Sequence, residues 1–167
     1  LALGVFKLSP NQRYLAYALD TSGAESYTLF IKDLQTGKVL SDRLAGTYYS
    51  TEWAADNQTL FYNTIDAANR PDRLFRHTLG QLQSQDVLVY HEPDERFNVE
   101  VSKTQSGAYL ILHIESNTTS ENHFIPADKP TQAPQLMQAR RQDIQYDVEH
   151  HGQQWILMTN DGARDFR

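Results

Sequence analysis

The feature that most constrains this chain is a repeat of roughly 45–48 residues. The repeat is marked by Leu8, Trp53, Val101 and Val148, which occupy equivalent points in four segments that align by eye. Each segment has an apolar strand end, then a polar turn, then a strongly apolar run. A fixed period of this length is typical of proteins built from stacked units, because one unit cannot bury its apolar face alone.

Each period reads as four strands. In the first, Phe97, Val99 and Val101 alternate with polar residues, which is the pattern of a half-buried strand. Second strands, apolar on both faces, are predicted at Tyr14–Leu19, Leu60–Tyr62, Tyr109–Ile114 and Trp155–Met158. Third strands are predicted at Tyr27–Leu34, Arg73–Leu79 and His123–Pro126, and fourth strands at Lys38–Leu40, Val87–Tyr90 and Gln135–Met137. Helical periodicity is absent, so an all-β fold is predicted.

Four antiparallel strands in a period of this length describe a propeller blade. We therefore predict a partial β-propeller with units at 1–46, 47–93 and 94–140 and an incomplete unit at 141–167. A β-sandwich is the alternative, since it also has short strands joined by regular turns. Closed propellers have typically about four to eight blades, so we expect a fragment with open apolar faces that self-associates when isolated.

Composition excludes several function classes. The formal net charge is −6, with 21 acidic and 15 basic residues, which argues against nucleic acid as a partner. The sequence has no cysteine, and therefore no disulfide, thiolate metal site or cysteine nucleophile. Apolar runs are too short for a membrane helix, so no membrane association is expected. The first residue is Leu1 rather than Met, which suggests further residues upstream.

Two groups of histidines invite a metal-site hypothesis. His150 and His151 are adjacent and would point to opposite faces of a strand, so they do not converge with Glu149 and Asp147. His113 and Glu115 do share a strand face, but the sequence shows no third ligand for them. We therefore predict no metal, no cofactor and no catalytic residue in this chain.

Acidic pairs and a basic pair are interpreted as ordinary surface features. Asp94 with Glu95 and Asp143 with Asp147 are read as solvated charges rather than as a glycosidase pair. Arg140-Arg141 would attract a trypsin-like peptidase if its loop were exposed, but a basic connection between units is the simpler interpretation.

Four strings resemble a known family. They lie at 52–62, 76–90, 116–121 and 140–150. The first is similar to the Trp-Ala-x-Asp…Phe-Tyr stretch of the oligopeptidase B propeller, and the second to its Arg-His-x-x-Gly…Gln-Asp…Val-Tyr segment. The fourth resembles its Arg-x-x-x-x-Tyr-x-x-x-His pattern. The resemblance covers essentially the whole chain and points to the oligopeptidase B branch of the prolyl oligopeptidase family.

The resemblance implies a seven-bladed propeller that caps an α/β-hydrolase domain with a Ser-Asp-His triad. It implies cleavage of short peptides after Arg or Lys, and a cytoplasmic location. The partners would be the protein's own catalytic domain and short basic peptides. None of the catalytic residues can be carried onto this chain, and the Gly-x-Ser-x-Gly motif is absent. The expected function is therefore a non-catalytic gate for peptide access.

Two other hypotheses remain open at this stage. One is a scaffold propeller that binds proteins through aromatic or arginine anchors on a rim. The other is a propeller enzyme, such as a glycosidase, with acidic residues recurring on the innermost strands. The residues at that position are Lys7, Glu52, Glu100 and Asp147, which form no obvious constellation in the sequence.

Overall fold

The computed structural model describes residues 2–163 and Phe166, and its secondary structure is almost entirely strand. The strands are β1 Ala2–Leu8, β2 Tyr14–Asp20, β3 Tyr27–Asp33, β4 Val39–Trp53, β5 Thr59–Ile65, β6 Pro71–Thr78, β7 Val87–His91, β8 Asn98–Lys103, β9 Tyr109–Glu115, β10 Ser120–Pro126, β11 Gln135–Gln138, β12 Tyr146–His151 and β13 Gln154–Thr159. The described helical structure is one 3-10 turn at Gln83–Gln85. The all-β prediction is confirmed.

Among the described residues, no helix is long and apolar enough to cross a membrane.

Tight turns with residues at positive φ connect the strands. Gly37 has a φ of 73° between β3 and β4, a conformation that glycine adopts without steric cost. Asn57 has a φ of 60° between β4 and β5, and the Asp56 carboxylate accepts the backbone N–H of Thr59 at 2.8 Å. These side-chain-to-backbone bonds are the reason Asp and Asn favour turns.

All strand pairs are antiparallel, and the sheets separate near the expected boundaries at 93/94 and 140/141 but not at 46/47. Strands β1–β7 form one sheet in chain order, β8–β11 form a second, and β12 pairs with β13. Strand β4 is the cause, because its first half pairs with β3 and its second half with β5, with Thr47 pairing on both sides. Gly46, at a φ of 68°, lies at this point.

The predicted boundary between 46 and 47 therefore falls inside a strand rather than in a loop. The antiparallel ladder runs on through the boundary, because β4 changes partners without leaving the sheet. The hydrogen-bonded sheets have seven, four and two strands rather than four strands each. The last part of the predicted fourth unit, at Arg164, Asp165 and Arg167, lies outside the described residues.

The core lies between successive units. Their first strands contact one another, β1 with β4 and β4 with β8. One buried cluster joins the first and second units and includes Val5, Leu29, Leu44, Trp53 and Tyr62. A second cluster joins the second and third units and includes Phe61, Leu74, Val99, Leu112 and Ile114. This face-to-face packing explains why β5 and β9 are apolar on both faces.

A buried serine and asparagine bind the second unit to the first strand of the third, and another such pair binds the third unit to the first strand of the fourth. The Ser50 hydroxyl accepts the Val101 N–H at 2.6 Å and donates to the Val101 carbonyl at 2.8 Å, and Asn63 donates to the Val99 carbonyl. In the next seam Ser120 makes the same two contacts with the Tyr146 backbone. These side chains satisfy backbone groups that packing hides from water.

Replacing Ser50 by alanine is expected to lower the free energy of unfolding by about 1–3 kcal/mol, since it orphans buried backbone groups of Val101. Urea denaturation monitored by circular dichroism measures the loss. The matched control is Ser84→Ala, an exposed serine in the 3-10 turn, which should change stability by at most about 0.5 kcal/mol. Equal effects of the two substitutions would contradict the role of Ser50.

The outer faces of the first and last strands carry exposed apolar side chains. Leu3 and Phe6 of β1 are 58% and 64% exposed, and Ile156 and Met158 of β13 are 54% and 49% exposed. The apolar run of β13 therefore differs from those of β5 and β9, because no described strand covers it.

Candidate functional site

The sequence had shown no constellation among the polar residues of the first strands, but the structure brings two of them into contact. Lys7 forms an ion pair with Glu52, which is only 8% exposed. Burial lowers the pKa of the neighbouring Lys103 ammonium, and the charge of Glu52 opposes that shift while Lys7 adds to it. The first two units are thus joined by opposite charges at this point. We therefore interpret Lys7 and Glu52 as an ion pair that joins the first unit to the second.

A different group forms between the third and fourth units. His113 and Glu115 lie on one face of β9, and Asp147 approaches them from β12. The donor atoms of the three side chains lie within 4.8 Å of one another, the single such group among the described residues. The structure therefore supplies the third potential ligand that the sequence did not reveal. The alignment of Asp147 with Glu100 was the signal that could have found it.

The electrostatics of this group, here called the acidic cluster (His113, Glu115 and Asp147), favour a cation. Burial raises the pKa of the Glu115 carboxyl, the charges of Asp147 and Glu100 raise it further, and His113 opposes the shift. Burial is the largest cause of this shift, and the two nearby carboxylates act in the same direction because holding every negative charge together is unfavourable. A positive charge at this point would relieve the repulsion.

His150 and His151 do not join a metal-binding group. His150 Nδ1 lies 2.9 Å from the Ser106 hydroxyl, and its ring packs edge-on against Tyr109 at a centroid distance of 4.7 Å. His151 is exposed at the end of β12. The predicted divergence of the two histidines agrees with these positions.

His77 is the most deeply buried histidine among the described residues, and its partners were not predictable from the sequence. Its Nε2 lies 2.9 Å from Asp42 Oδ1 and its Nδ1 lies 2.7 Å from Asp86 Oδ1. The three side chains are at most 2% exposed. A catalytic base needs one ring nitrogen free for the nucleophile. Because both nitrogens of His77 face carboxylates, this triad is a structural element.

Arg140 occupies a junction between units rather than an exposed cleavage loop. Its guanidinium contacts Glu92 at 2.5 Å and Glu121 at 3.3 Å, and it lies 4.1 Å from the ring centroid of Phe97. The two carboxylates raise the pKa of Arg140 against the effect of burial. Arg141 is half-exposed and pairs with Asp161. The basic pair is thus held in ion pairs, as expected of a connection between units.

Comparison with known proteins decides the family. The sequence profile described as "Prolyl oligopeptidase, N-terminal beta-propeller domain" matches residues 1–167. This chain belongs to the prolyl oligopeptidase family. The match also decides between propeller and sandwich, in favour of the propeller domain.

Individual relatives agree with this assignment. The chain is 40% identical to Protease 2 of Moraxella lacunata, over 100% of this chain and 24% of that protein. It is 34% identical to dipeptidyl aminopeptidase BI of Pseudoxanthomonas mexicana, over 99% of this chain and 23% of that protein. The solved structure of oligopeptidase B from Leishmania major superposes with a TM-score of 0.90 at 29% identity, covering 96% and 23% of the two chains. The chain thus spans about a quarter of the length of these relatives.

Strings that resemble the prolyl oligopeptidase family correspond to structural contacts of the propeller domain. Trp53 donates its indole N–H to the Lys7 carbonyl at 3.1 Å. Tyr62 donates its hydroxyl to Asp86, which in turn holds His77. Tyr146 receives the backbone N–H of Asn122 on its hydroxyl at 2.8 Å. Residues of these motifs therefore form hydrogen bonds within the fold.

Proposed function

We propose that this chain is a non-catalytic propeller segment that gates peptide access in an oligopeptidase B-like serine peptidase. The observation that carries the proposal is the match of the propeller domain over the whole chain, together with 40% identity to Protease 2. The chain lacks the serine elbow motif, and its buried His77 has no free ring nitrogen. The catalytic chemistry is therefore assigned to another part of the protein.

The proposed architecture is a seven-bladed propeller to which the units at 1–46, 47–93, 94–140 and 141–167 contribute. Neighbouring blades would cover the apolar outer faces of β1 and β13, and the protein's own α/β-hydrolase domain would pack against one end of the disc. Left uncovered, these faces would lead the isolated chain to self-associate. The protein is proposed to act in the cytoplasm.

Gating follows from the geometry of such a disc. A folded protein cannot enter a cavity closed by a narrow channel, whereas an extended peptide can. Closure also removes bulk water from the catalytic site, which strengthens electrostatic interactions there. The proposed substrates are short peptides cleaved after Arg or Lys, and the net charge of −6 favours such cationic ligands.

The test uses the full-length protein. We expect labelling by a serine-reactive fluorophosphonate and cleavage of a fluorogenic peptide ending in Arg-Arg, whereas the 167-residue chain alone should do neither. The matched control peptide ends in Glu-Glu and should not be cleaved. The same Arg-Arg site placed in a folded protein should resist cleavage, since the gate excludes folded substrates.

Each outcome separates the hypotheses. Labelling without cleavage after Arg would support the serine peptidase assignment but contradict the proposed specificity for basic residues. Equal cleavage of the peptide and the folded protein would contradict the proposed gating role. If the full-length protein neither labels nor cleaves, the peptidase assignment fails and a protein-binding scaffold propeller takes its place.

A further inference from the structure

The acidic cluster has the composition and spacing of a cation site built across two units. His113 and Glu115 lie two residues apart on β9, so their side chains leave the strand on one face. Asp147 belongs to β12 of the next unit, and the three donor atoms lie within 4.8 Å of one another. One imidazole nitrogen and two carboxylates are a donor set that suits a first-row divalent ion.

A buried amide beside the cluster has an oxygen without a partner. Asn122 is 0% exposed and lies directly opposite His113 in the β9–β10 ladder, so the two side chains stand together on one face. Its Nδ2 donates to the carbonyl of Tyr146, the residue before Asp147, at 2.8 Å. The amide thus lies between His113 and the strand that carries Asp147. Its Oδ1 accepts no hydrogen bond.

An orphaned buried amide oxygen is unfavourable, because its lost hydrogen bonds to water are not replaced within the protein. This orphaned oxygen points to a ligand, because the strand register places the Asn122 side chain on the face of the sheet that carries His113. A cation, or a water bound to a cation, would give Oδ1 the positive partner that it lacks.

The ring of His113 is oriented as a ligand requires. Its Nε2 lies 2.7 Å from the Ser102 hydroxyl, while its Nδ1 lies 3.8 Å from Glu115 Oε1, too far for a hydrogen bond. Metal-binding histidines commonly hydrogen-bond through the nitrogen that does not bind the metal. Here that nitrogen is Nε2, and Nδ1 faces the carboxylates.

The charge around the cluster is unbalanced. Glu100 lies opposite His113 on β8 and adds a third carboxylate to the same face. A divalent ion would offset this excess of negative charge.

From this arrangement we propose that His113, Glu115 and Asp147 bind a first-row divalent metal ion, with Zn²⁺ as its representative, that ties the third unit to the fourth. The role is structural, since two ligands come from one unit and one from the next. The proposal does not depend on the peptidase activity of the full-length protein.

The experiment titrates ZnCl₂ into tag-free, chelator-treated full-length protein by isothermal titration calorimetry. We expect one saturable site on this chain and a rise in melting temperature with Zn²⁺. His113→Ala and Asp147→Asn should each weaken binding by about 10-fold or more. His151→Ala, an exposed histidine outside the cluster, is the matched control and should leave binding unchanged.

Asp147→Asn keeps the size of an exposed side chain and is the variant least able to disturb folding, which circular dichroism checks. If His113→Ala fails to fold, Glu115→Gln replaces it. Absence of binding in the unmodified protein overturns the proposal. Binding that is unchanged in Asp147→Asn and Glu115→Gln overturns it equally, because the ion then lies elsewhere.

Discussion

Replacing His77 by leucine is expected to lower the free energy of unfolding by about 3–5 kcal/mol, because it leaves two buried carboxylates without the ring that contacts both of them. Asp42 would keep only the backbone N–H of Gly80, at 2.6 Å, and Asp86 only the Tyr62 hydroxyl, at 2.7 Å. Neither donor carries a charge. The measurement is urea denaturation of this chain, followed by circular dichroism.

The matched control for this substitution is His151→Leu, since His151 is exposed at the end of β12. It should change stability by no more than about 0.5 kcal/mol. His77→Gln should have an intermediate effect, because both N–H donors of an amide lie on one nitrogen, whereas His77 contacts the two carboxylates through two different ring nitrogens. A loss below about 1 kcal/mol for His77→Leu would contradict the description of the triad as a buried, charged element.

The second large effect is expected for Trp53→Ala, at about 3–5 kcal/mol, because it opens a cavity in the core between the first two units. Trp53 is 0% exposed, belongs to the first core cluster and stacks on Tyr14 at a centroid distance of 6.3 Å. Its indole N–H also donates a hydrogen bond to the Lys7 carbonyl. The loss is measured by urea denaturation with circular dichroism as the signal, since the fluorescence of Trp53 disappears with the substitution.

Two further variants divide this effect into its parts. Trp53→Phe keeps much of the apolar volume but loses the indole N–H, so it should cost less than Trp53→Ala. Leu82→Ala removes a side chain that is 71% exposed and should have little effect. If Trp53→Phe were as damaging as Trp53→Ala, the hydrogen bond to Lys7 would outweigh the packing.

Features that depend on neighbouring residues were predictable. The alternation at 97–101 predicted β8, which begins at Asn98. The doubly apolar runs predicted β5 and β9 within a few residues. The whole-chain resemblance also indicated the family that comparison then showed.

Features that depend on contacts between distant segments were not predictable. The strand pattern could not show that β4 passes from β3 to β5 without a break, because pairing partners are chosen by the sheet and not by the strand alone. His77 looked like part of a family motif, and only folding brings Asp42 to its ring. Asp147 is separated from His113 by two strands and joins it only across a seam between units.

The sequence by itself therefore determined that this chain is an all-β propeller segment of the prolyl oligopeptidase family with no serine elbow. Strand period, turn residues and repeat length are local properties, and short-range sterics and burial enforce them. Only the tertiary structure decided which polar side chains meet. The acidic cluster and the buried His77 triad both depend on how strands distant in sequence pair and pack, and no short stretch of residues encodes that placement.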